Sequence, residues 1–399
     1  MNAPHNPDSP VEHIRRIHAE LTAIRRDLHS HPELGYHEVR TSDIVAAKLL
    51  SWGIEVHRGI AKTGLVGVVK GMKSASGRAI GLRADMDCLP MHEVGSVEHK
   101  SQNAGAMHAC GHDGHTTMLL GAAHYLAETR NFDGIAYLIF QPAEEGGGGG
   151  KAMIRDGLFE RFPADEIYAL HNWPSLPPGK IGVRPGPVLA ATDQIQIKVC
   201  GKGGHGAMPH LAIDPVVIAA QIITALQTIA SRNVNPVDSV VVSVCSMQTS
   251  QFGAYNVIPD AVQLMGTARS FRPETRDLAE QRLRQLVDGI ASAMGGSAEI
   301  TYRRGYPPTI NTEREARFAA KVGEKIFGTG NVVIDGDPNM GGEDFSYMLQ
   351  ARPGAYILLG QGGATEGRFL HSTKYDFNDE MIPLGAGYLA ALVEEALPG

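Results

Sequence analysis

The distribution of apolar residues along this 399-residue chain constrains its fold most, because the pattern changes character partway along. In the first part, three short apolar runs are bounded by Gly, Lys or Pro, which is typical of buried strands. They are Leu65–Val69, Ala79–Leu82 and Ala136–Phe140. A helical segment, Thr116–Thr129, lies between the last two. Strands that alternate with helices predict an α/β domain with a mixed, largely parallel sheet flanked by helices.

The pattern changes near Pro187. Gln194–Val199 alternates strictly between polar and apolar residues, as a half-exposed strand does. The order strand–helix–strand then occurs twice, which predicts a compact α+β module, and the first pattern returns after Pro307. We therefore predict an α/β domain formed by residues 1–187 and 305–399, interrupted by a smaller domain at residues 188–304.

Helical periodicity predicts the other helices. One helix is expected at 11–30 and another at 41–52, the latter capped by Thr41 or Ser42. The apolar run Pro215–Ala230 is too short for a membrane span and contains polar residues. We interpret it as a buried helix.

Charge and composition exclude several classes of protein. The chain has 36 Lys and Arg residues against 43 Asp and Glu, a net charge of −7, which excludes a basic nucleic-acid binder and a strongly acidic disordered chain. The N-terminus lacks the apolar core of about 7–15 residues that a secretory signal needs. The four cysteines form no CxxC pair, which favours free thiols or metal ligands over disulfides. We expect a soluble, cytoplasmic protein that binds neither nucleic acid nor a membrane.

The chain has 17 histidines, and the densest group lies within Met107–His115. In an extended segment alternate side chains share a face, so His108, Cys110 and His112 would point the same way. His115 would join His112 if a helix has already begun. Spacing alone leaves open which histidine binds metal, and the alternative is a polar turn with a buried free cysteine.

Two carboxylates, Glu144 and Glu145, follow the third apolar run and precede five glycines. Adjacent side chains in an extended loop diverge, so we expect different tasks for them, one binding metal and the other accepting a proton. The alternatives are a solvated pair and a flexible glycine loop. His171 and His371 also follow apolar segments. A mixture of thiolate, imidazole and carboxylate suits Zn²⁺ or a similar metal rather than Mg²⁺ or Ca²⁺. Five such ligands exceed one tetrahedral site and fit two ions that share a bridging water.

Four further residues are candidates for supporting roles. Asp87, just past a strand, could accept a hydrogen bond from a ligating imidazole or only cap local backbone. His205, on a glycine-rich loop, could donate to an oxyanion or belong to a simple hairpin. Asn256 and Arg269 could hold a substrate carboxylate.

Motifs from much of the chain resemble one family. In order they are RRDLHSHPELGYHE, LRADMDCLP, MHACGHDGHTTMLLGAA, FQPAEEGGGGGKAMI, ALHNWP, GKGGHGAMPH, NVIPD and MGGEDFSYM. Together they resemble the M20 metallopeptidase family, in its amidohydrolase branch of hippurate hydrolases, N-acyl-amino-acid deacylases and auxin-conjugate hydrolases. The resemblance implies a zinc-peptidase-like catalytic domain with an inserted ferredoxin-like lid and dimerisation domain.

The resemblance also implies roles for individual residues. It selects as metal ligands Cys110, His112, Glu145, His171 and His371. It makes Glu144 the general base and His205 a lid histidine that reaches the active site of the partner subunit in a homodimer. Asn256 and Arg269 fall where such enzymes hold the substrate carboxylate. The broader family has an HxD motif, but this chain has Asp85-Met86-Asp87, so Asp87 can at most support a ligand from behind.

The expected activity is hydrolysis of the amide bond of N-acyl amino acids such as hippurate. Two divalent ions, Zn²⁺ or Mn²⁺ with Co²⁺ or Ni²⁺ as alternatives, would polarise the acyl carbonyl and activate a bridging water for Glu144. Three other functions stay open. They are a di-metal dipeptidase or aminopeptidase, an enzyme with Cys110 as nucleophile, and an inactive peptide-binding relative.

Overall fold

The structure is a computed structural model that describes residues 9–399. Its α-helices are α1 Pro10–Arg15, α2 His18–Ser30, α3 Val39–Ser51, α4 His112–Thr129, α5 Gly149–Arg155, α6 Leu158–Arg161, α7 Pro215–Thr228, α8 Pro273–Ala293, α9 Glu313–Phe327, α10 Phe345–Ala351 and α11 Ile382–Ala396. A π-helical turn, Ile229–Asn233, continues α7. Short 3-10 helices lie at Pro209–Leu211, Thr329–Asn331, Ala364–Glu366 and Asp379–Met381.

The strands alternate with these helices. They are β1 Glu55–Ile60, β2 Gly64–Lys70, β3 Ala79–Asp85, β4 Ile135–Gln141, β5 Glu166–Trp173, β6 Ile181–Val183, β7 Gly186–Leu189, β8 Ala191–Cys200, β9 Gly204–His205, β10 Val240–Thr249, β11 Val257–Ile258, β12 Ala261–Ser270, β13 Ser297–Arg304, β14 Thr309–Asn311, β15 Val332–Ile334 and β16 Gly354–Gly360.

The described chain divides into two compact units. The larger unit contains the residues up to Gly186 together with Ile310–Asp337 and Asp344–Gly399. The smaller contains Pro187–Thr309 and also Pro338–Glu343. This last segment belongs to the smaller unit because its backbone pairs there, with the N–H of Asn339 donating to the carbonyl of Val188 at 2.9 Å. No composition shift in the sequence marks it.

The larger unit is built on an eight-stranded sheet in the order β1-β2-β4-β3-β5-β16-β6-β15. The four central strands, β4, β3, β5 and β16, run parallel, whereas β1, β2 and β6 pair antiparallel with their neighbours towards the edges. The predicted α/β fold with a mixed, largely parallel sheet is confirmed. Because the central strands run parallel, their carboxyl ends share one edge, which is where such folds place ligands.

The smaller unit has a four-stranded antiparallel sheet in the order β10-β12-β8-β13. Numbered along the chain, these strands lie in the order second, third, first, fourth, and α7 and α8 connect them as βαββαβ, the ferredoxin-like arrangement. Alternate residues of β8, such as Ile195 and Ile197, pack in one core with Ile218 and Ile222 of α7. Their neighbours on the opposite face of β8 are polar, as the strict alternation predicted.

The predicted buried helix at Pro215 is buried on one face. Only one side of α7 is buried, and Val217 is 47% exposed. Among the described residues, Pro215–Asn233 is the one helical stretch that is long and apolar enough to cross a membrane. A single stretch of this kind is weak evidence of a span, and this one packs against the sheet of the smaller unit.

Two predicted helices near the N-terminus also differ from the structure. The predicted helix at 11–30 is broken at Arg16 and Ile17 into α1 and α2. The third helix begins at Val39, so neither Thr41 nor Ser42 caps it. Instead, the carboxylate of Glu33 accepts the N–H groups of Arg40 and Thr41, at 3.0 and 2.8 Å. A side chain seven residues before Arg40 thus replaces the adjacent cap that sequence spacing suggested.

Candidate metal centre

The cysteine–histidine segment ends in a tight turn at the carboxyl edge of the sheet. Gly111 has φ of 95°, and a Cβ there would lie 2.4 Å from both Asn172 Oδ1 and Tyr375 Oη. Only glycine tolerates both the backbone conformation and this close approach. The turn places Cys110 just before α4 and makes His112 its first residue, so α4 begins four residues earlier than predicted.

Potential metal-ligating atoms of six side chains converge at this edge. They form three overlapping groups, each with donor atoms within 4.8 Å of one another: Cys110 with His112 and His171, Cys110 with Glu145 and His371, and His112 with Glu144 and Glu145. Cys110, His112 and Glu145 each belong to two groups, so the three groups form one cluster. The structure thereby brings together the five predicted ligands and the predicted base.

Hydrogen bonds determine which nitrogen two of the histidines present. Nδ1 of His112 faces the backbone carbonyl of Asp87 at 2.9 Å and its carboxylate at 3.2 Å. Nδ1 of His171 faces the carbonyl of Asn172 at 2.7 Å. Since these partners can only accept, we assign the proton to Nδ1 in each ring, which leaves the Nε2 lone pair for a metal. Within residues 9–399, Nε2 of His112 is buried and has no hydrogen-bond partner, so a metal ion fits this donor set.

The fifth candidate ligand, His371, comes from an irregular segment after β16. Its φ is 63°, a value that non-glycine residues rarely adopt, and its N–H donates to the carbonyl of Ala109 at 2.7 Å. This contact ties His371 directly beside Cys110. Nε2 of His371 lies 3.3 Å from Oε1 of Glu145. Strained backbone beside convergent donor groups is typical of a functional site.

The two adjacent carboxylates do not diverge, so that prediction is wrong. An oxygen of each lies within 4.8 Å of a His112 nitrogen, because the chain turns at Ala143, whose φ is 50°. The N–H of Glu145 donates to Oδ2 of Asp87 at 2.9 Å, and the N–H of Asp344 donates to Oε1 of Glu144 at 3.4 Å. The carboxylate of Glu144 and the backbone of Glu145 are therefore held in place.

The last two of the five glycines that follow are packed closely. A Cβ on Gly149 would lie 1.6 Å from the carbonyl oxygen of Pro142, and one on Gly150 would lie 3.0 Å from the carbonyl oxygen of Asp344. Gly149 is also the first residue of α5. Gly149 and Gly150 thus allow backbone segments to approach each other beside Glu144, whereas Gly146 is exposed and has no atom within 4 Å of its Cβ position.

Electrostatics separate the roles of the thiol and the imidazoles. Burial, followed by the charges of Glu145 and Glu144, raises the pKa of the Cys110 thiol well above its usual range. A nucleophilic cysteine needs a lowered pKa, whereas a cation would itself stabilise the thiolate. Burial lowers the pKa of His171, which keeps it neutral. For His112, burial lowers the pKa, but Asp85 and Asp87 outweigh it and raise the pKa to about 10, so a metal ion would have to displace the proton from Nε2.

Sequence comparison relates the chain to known proteins. The model of peptidase family M20/M25/M40 matches residues 81–395. The chain belongs to peptidase family M20/M25/M40. It is 42% identical over 382 residues to hippurate hydrolase of Campylobacter jejuni, covering 96% of this chain and 98% of that protein. It is 38% identical over 362 residues to N-acetyl-L-cysteine deacetylase of Bacillus subtilis, covering 89% and 83%.

Structural comparison agrees with this membership. The Bacillus subtilis YXEP protein, described as a dinuclear metal binding peptidase from the M20 family, matches with a TM-score of 0.83 at 32% identity, covering 96% of this chain and 99% of that one. This M20/M25/M40 chain is therefore a hydrolase that acts on amide bonds, with a fold of the dinuclear metal-binding kind.

Sequence reasoning missed two buried residues beside the candidate metal centre, Asp85 and Asn172, which both contact His115. Oδ1 of Asp85 lies 2.6 Å from Nδ1 of His115, and Oδ2 of Asp85 accepts from Arg83 at 2.7 Å. Nε2 of His115 faces Oδ1 of Asn172 at 2.5 Å, so both ring nitrogens of His115 are engaged. His108 packs instead beside His29, with ring centroids 6.3 Å apart. The sequence signal for Asp85 was its place at the end of β3, two residues before Asp87.

The residues predicted to bind the oxyanion and the substrate carboxylate, His205, Asn256 and Arg269, lie in the smaller unit of this M20 chain. His205 of β9 pairs with Val257 of β11, and the N–H of Gly206 donates to the carbonyl of Asn256 at 2.8 Å, so His205 and Asn256 are neighbours. Nδ1 of His205 accepts the N–H of Ala207 at 3.1 Å, which leaves Nε2 as the protonated nitrogen of the neutral ring. Arg269 lies in β12, half-buried, and donates to the carbonyl of Ala268 at 3.1 Å.

Proposed function

We propose that this protein hydrolyses the amide bond of N-acyl amino acids, with aroyl or acetyl groups as in hippurate, to a carboxylic acid and a free amino acid. The observation that carries this proposal is the convergence of five donor side chains beside a buried glutamate, Glu144. The similarity to a hippurate hydrolase and to an N-acetyl-L-cysteine deacetylase supports the substrate class.

We assign the metal site to five side chains: Cys110, His112, Glu145, His171 and His371. Two divalent ions bound there would polarise the acyl carbonyl and lower the pKa of the attacking water. The thiolate and imidazoles favour Zn²⁺, with Mn²⁺, Co²⁺ and Ni²⁺ as alternatives set by availability. Asp87 positions these ligands without binding the metal itself, because its carboxylate accepts hydrogen bonds from the ring of His112 and from the backbone N–H of Glu145.

Glu144 is the proposed general base. It takes a proton from the attacking water and then protonates the leaving amine. The N–H of Asp344 orients its carboxylate. We propose that Nε2–H of His205 stabilises the oxyanion, and that Asn256 and Arg269 bind the carboxylate of the substrate.

We further propose a cytoplasmic homodimer formed through the smaller unit. That unit carries several fully or nearly fully exposed apolar side chains, with Phe252 at 102%, Tyr255 at 109% and Val237 at 84% of full exposure. Exposed apolar groups in one unit favour burial against a partner. Light scattering after gel filtration would report the mass in solution, and a purely monomeric protein would contradict this proposal.

The first experiment tests the substrate class. We expect hydrolysis of N-benzoylglycine by enzyme reconstituted with each metal, and weaker hydrolysis of a dipeptide with a free amine. If the blocked compound is untouched while the dipeptide is cleaved, the dipeptidase or aminopeptidase alternative replaces our proposal. Loss of activity with a chelator and recovery on adding metal separate the metal mechanism from a cysteine nucleophile.

The second experiment tests the base. We expect Glu144→Ala to retain both metal ions and to lose activity by about 10²–10⁴-fold, the usual contribution of general acid–base catalysis. Glu160→Ala is a matched control, because Glu160 is an exposed glutamate of the same unit. An active Glu144→Ala enzyme with its metals bound would refute the assignment.

A further inference from the structure

A second group of metal-ligating side chains lies outside the catalytic cluster. Nε2 of His13, in α1, lies 2.7 Å from Oε2 of Glu128, in α4. Nδ1 of His124, also in α4, lies 3.7 Å from the same oxygen. The three donor atoms are all within 4.8 Å of one another. Tetrahedral zinc with bonds of about 2.0–2.1 Å separates its ligands by about 3.4 Å, so these spacings need only small side-chain adjustments.

The backbone holds these side chains in position. His124 and Glu128 are four residues apart on α4, so they lie on the same helix face, one turn apart. Helix α1 is anchored by its buried side chains Val11 and Ile14 and by the Ser9 hydroxyl, which caps the N–H of Glu12. The site is therefore formed by two helices that are already packed in the larger unit.

The chemical state of His124 suits a ligand. Its Nδ1 is buried and has no hydrogen-bond partner in the part of the chain that the structure describes. Burial lowers the pKa of His124, so the ring is neutral at neutral pH and keeps a free lone pair. The ring is packed edge-on against Trp52, with centroids 5.0 Å apart, which limits its rotation. The His13–Glu128 ion pair alone leaves this buried nitrogen unsatisfied.

We propose that His13, His124 and Glu128 form an auxiliary site for one transition metal ion that ties α1 to α4. Two imidazoles and one carboxylate select Zn²⁺, Ni²⁺, Co²⁺ or Cu²⁺ over Mg²⁺ and Ca²⁺. Glu128 is 58% exposed, so water can complete the coordination. His124 is twelve residues from His112 along α4, about 18 Å at 1.5 Å per residue, and the site shares no residue with the catalytic cluster. The ion would stabilise the N-terminal helix rather than take part in the reaction.

Metal counting tests the proposal directly. The full-length enzyme and the variants His13→Ala, His124→Gln and Glu128→Gln are dialysed against micromolar free Zn²⁺, and bound zinc is measured by mass spectrometry. We expect the wild type to bind one ion more per chain than each variant, while hydrolytic activity is unchanged. His57→Ala is the matched control, because His57 forms a partly exposed pair with Glu55 at 2.8 Å and belongs to neither the catalytic cluster nor the His13 group.

A second measurement reports on the helix itself. Hydrogen exchange of the α1 amides should slow when Zn²⁺ is added to the wild type beyond the catalytic ions, and should not respond in His13→Ala. His13→Ala and Glu128→Gln change partly exposed side chains, so they keep the test valid if His124→Gln fails to fold. Equal zinc content in the wild type and in His13→Ala and Glu128→Gln would overturn the proposal, leaving only an ion pair.

Discussion

Replacement of Asp87 by Asn tests the support of the metal site with almost no change of shape. The two carboxylate oxygens of Asp87 each face a donor, Nδ1–H of His112 at 3.2 Å and the N–H of Glu145 at 2.9 Å. An amide has only one acceptor oxygen, so in Asp87→Asn one of these donors must face an NH₂ group. Asp87 is 1% exposed, so water cannot readily repair the mismatch.

The expected cost follows from this count. A hydrogen bond to a charged group contributes about 1.5–3 kcal/mol, and loss of a group that orients a metal ligand lowers metal affinity about 10–100-fold. The hydrogen-bond free energy and the loss of metal affinity agree, because a 10–100-fold loss corresponds to about 1.4–2.7 kcal/mol. The lower half of the range is favoured, since Nδ1–H of His112 can still donate to the backbone carbonyl of Asp87.

Competition with a chromophoric chelator would measure the metal dissociation constants, and kcat would be measured at saturating metal. We expect weaker metal binding in Asp87→Asn with kcat largely restored by excess metal, the opposite of the Glu144→Ala result. Asp165→Asn is the control, because Asp165 also accepts a backbone N–H, from Ala79 at 2.8 Å, but is exposed. Wild-type metal affinity in Asp87→Asn would refute the reasoning.

Three further predictions concern stability. Gly114→Ala should destabilise the fold by about 1–3 kcal/mol in urea unfolding, because its Cβ would lie 2.3 Å from the ring of Phe377. The control Gly289→Ala, on an exposed helix face with no atom within 4 Å, should stabilise it by up to about 1 kcal/mol. Burial lowers the pKa of His29, but its bond to Asp113 outweighs this and raises the pKa to about 9. That pKa exceeds the value of about 6.5 in the unfolded chain, so protonated His29 should stabilise the fold fully below pH ~6.5 and lose this contribution as pH rises through 9. The free energy of unfolding should therefore fall more steeply with pH in the wild type than in His29→Gln. Removing metal with a chelator should lower Tm, by the equivalent of about 4 kcal/mol where free metal had been 1,000 times Kd, and adding metal should restore it.

Much of the fold followed from local patterns. The alternation of Gln194–Val199 predicted which face of β8 is buried, because side chains alternate sides along a strand whatever surrounds it. The short apolar runs became β2, β3 and β4 for a related reason. By contrast, the inclusion of residues 338–343 in the smaller unit depends on backbone pairing between distant segments, which leaves no local pattern.

The sequence by itself determined the chemistry of the candidate metal centre: thiol, imidazole and carboxylate groups placed near strand ends and glycines. Spacing could not choose among His108, His112 and His115, and only the family resemblance selected His112. The tertiary structure separates the three: Asp85 and Asn172 occupy both nitrogens of His115, His108 packs beside His29, and Nε2 of His112 has no hydrogen-bond partner among the described residues. A side chain's donor atoms are fixed by its residue type. The lone pair that remains free for a metal is decided by hydrogen-bond partners that folding brings from tens of residues away.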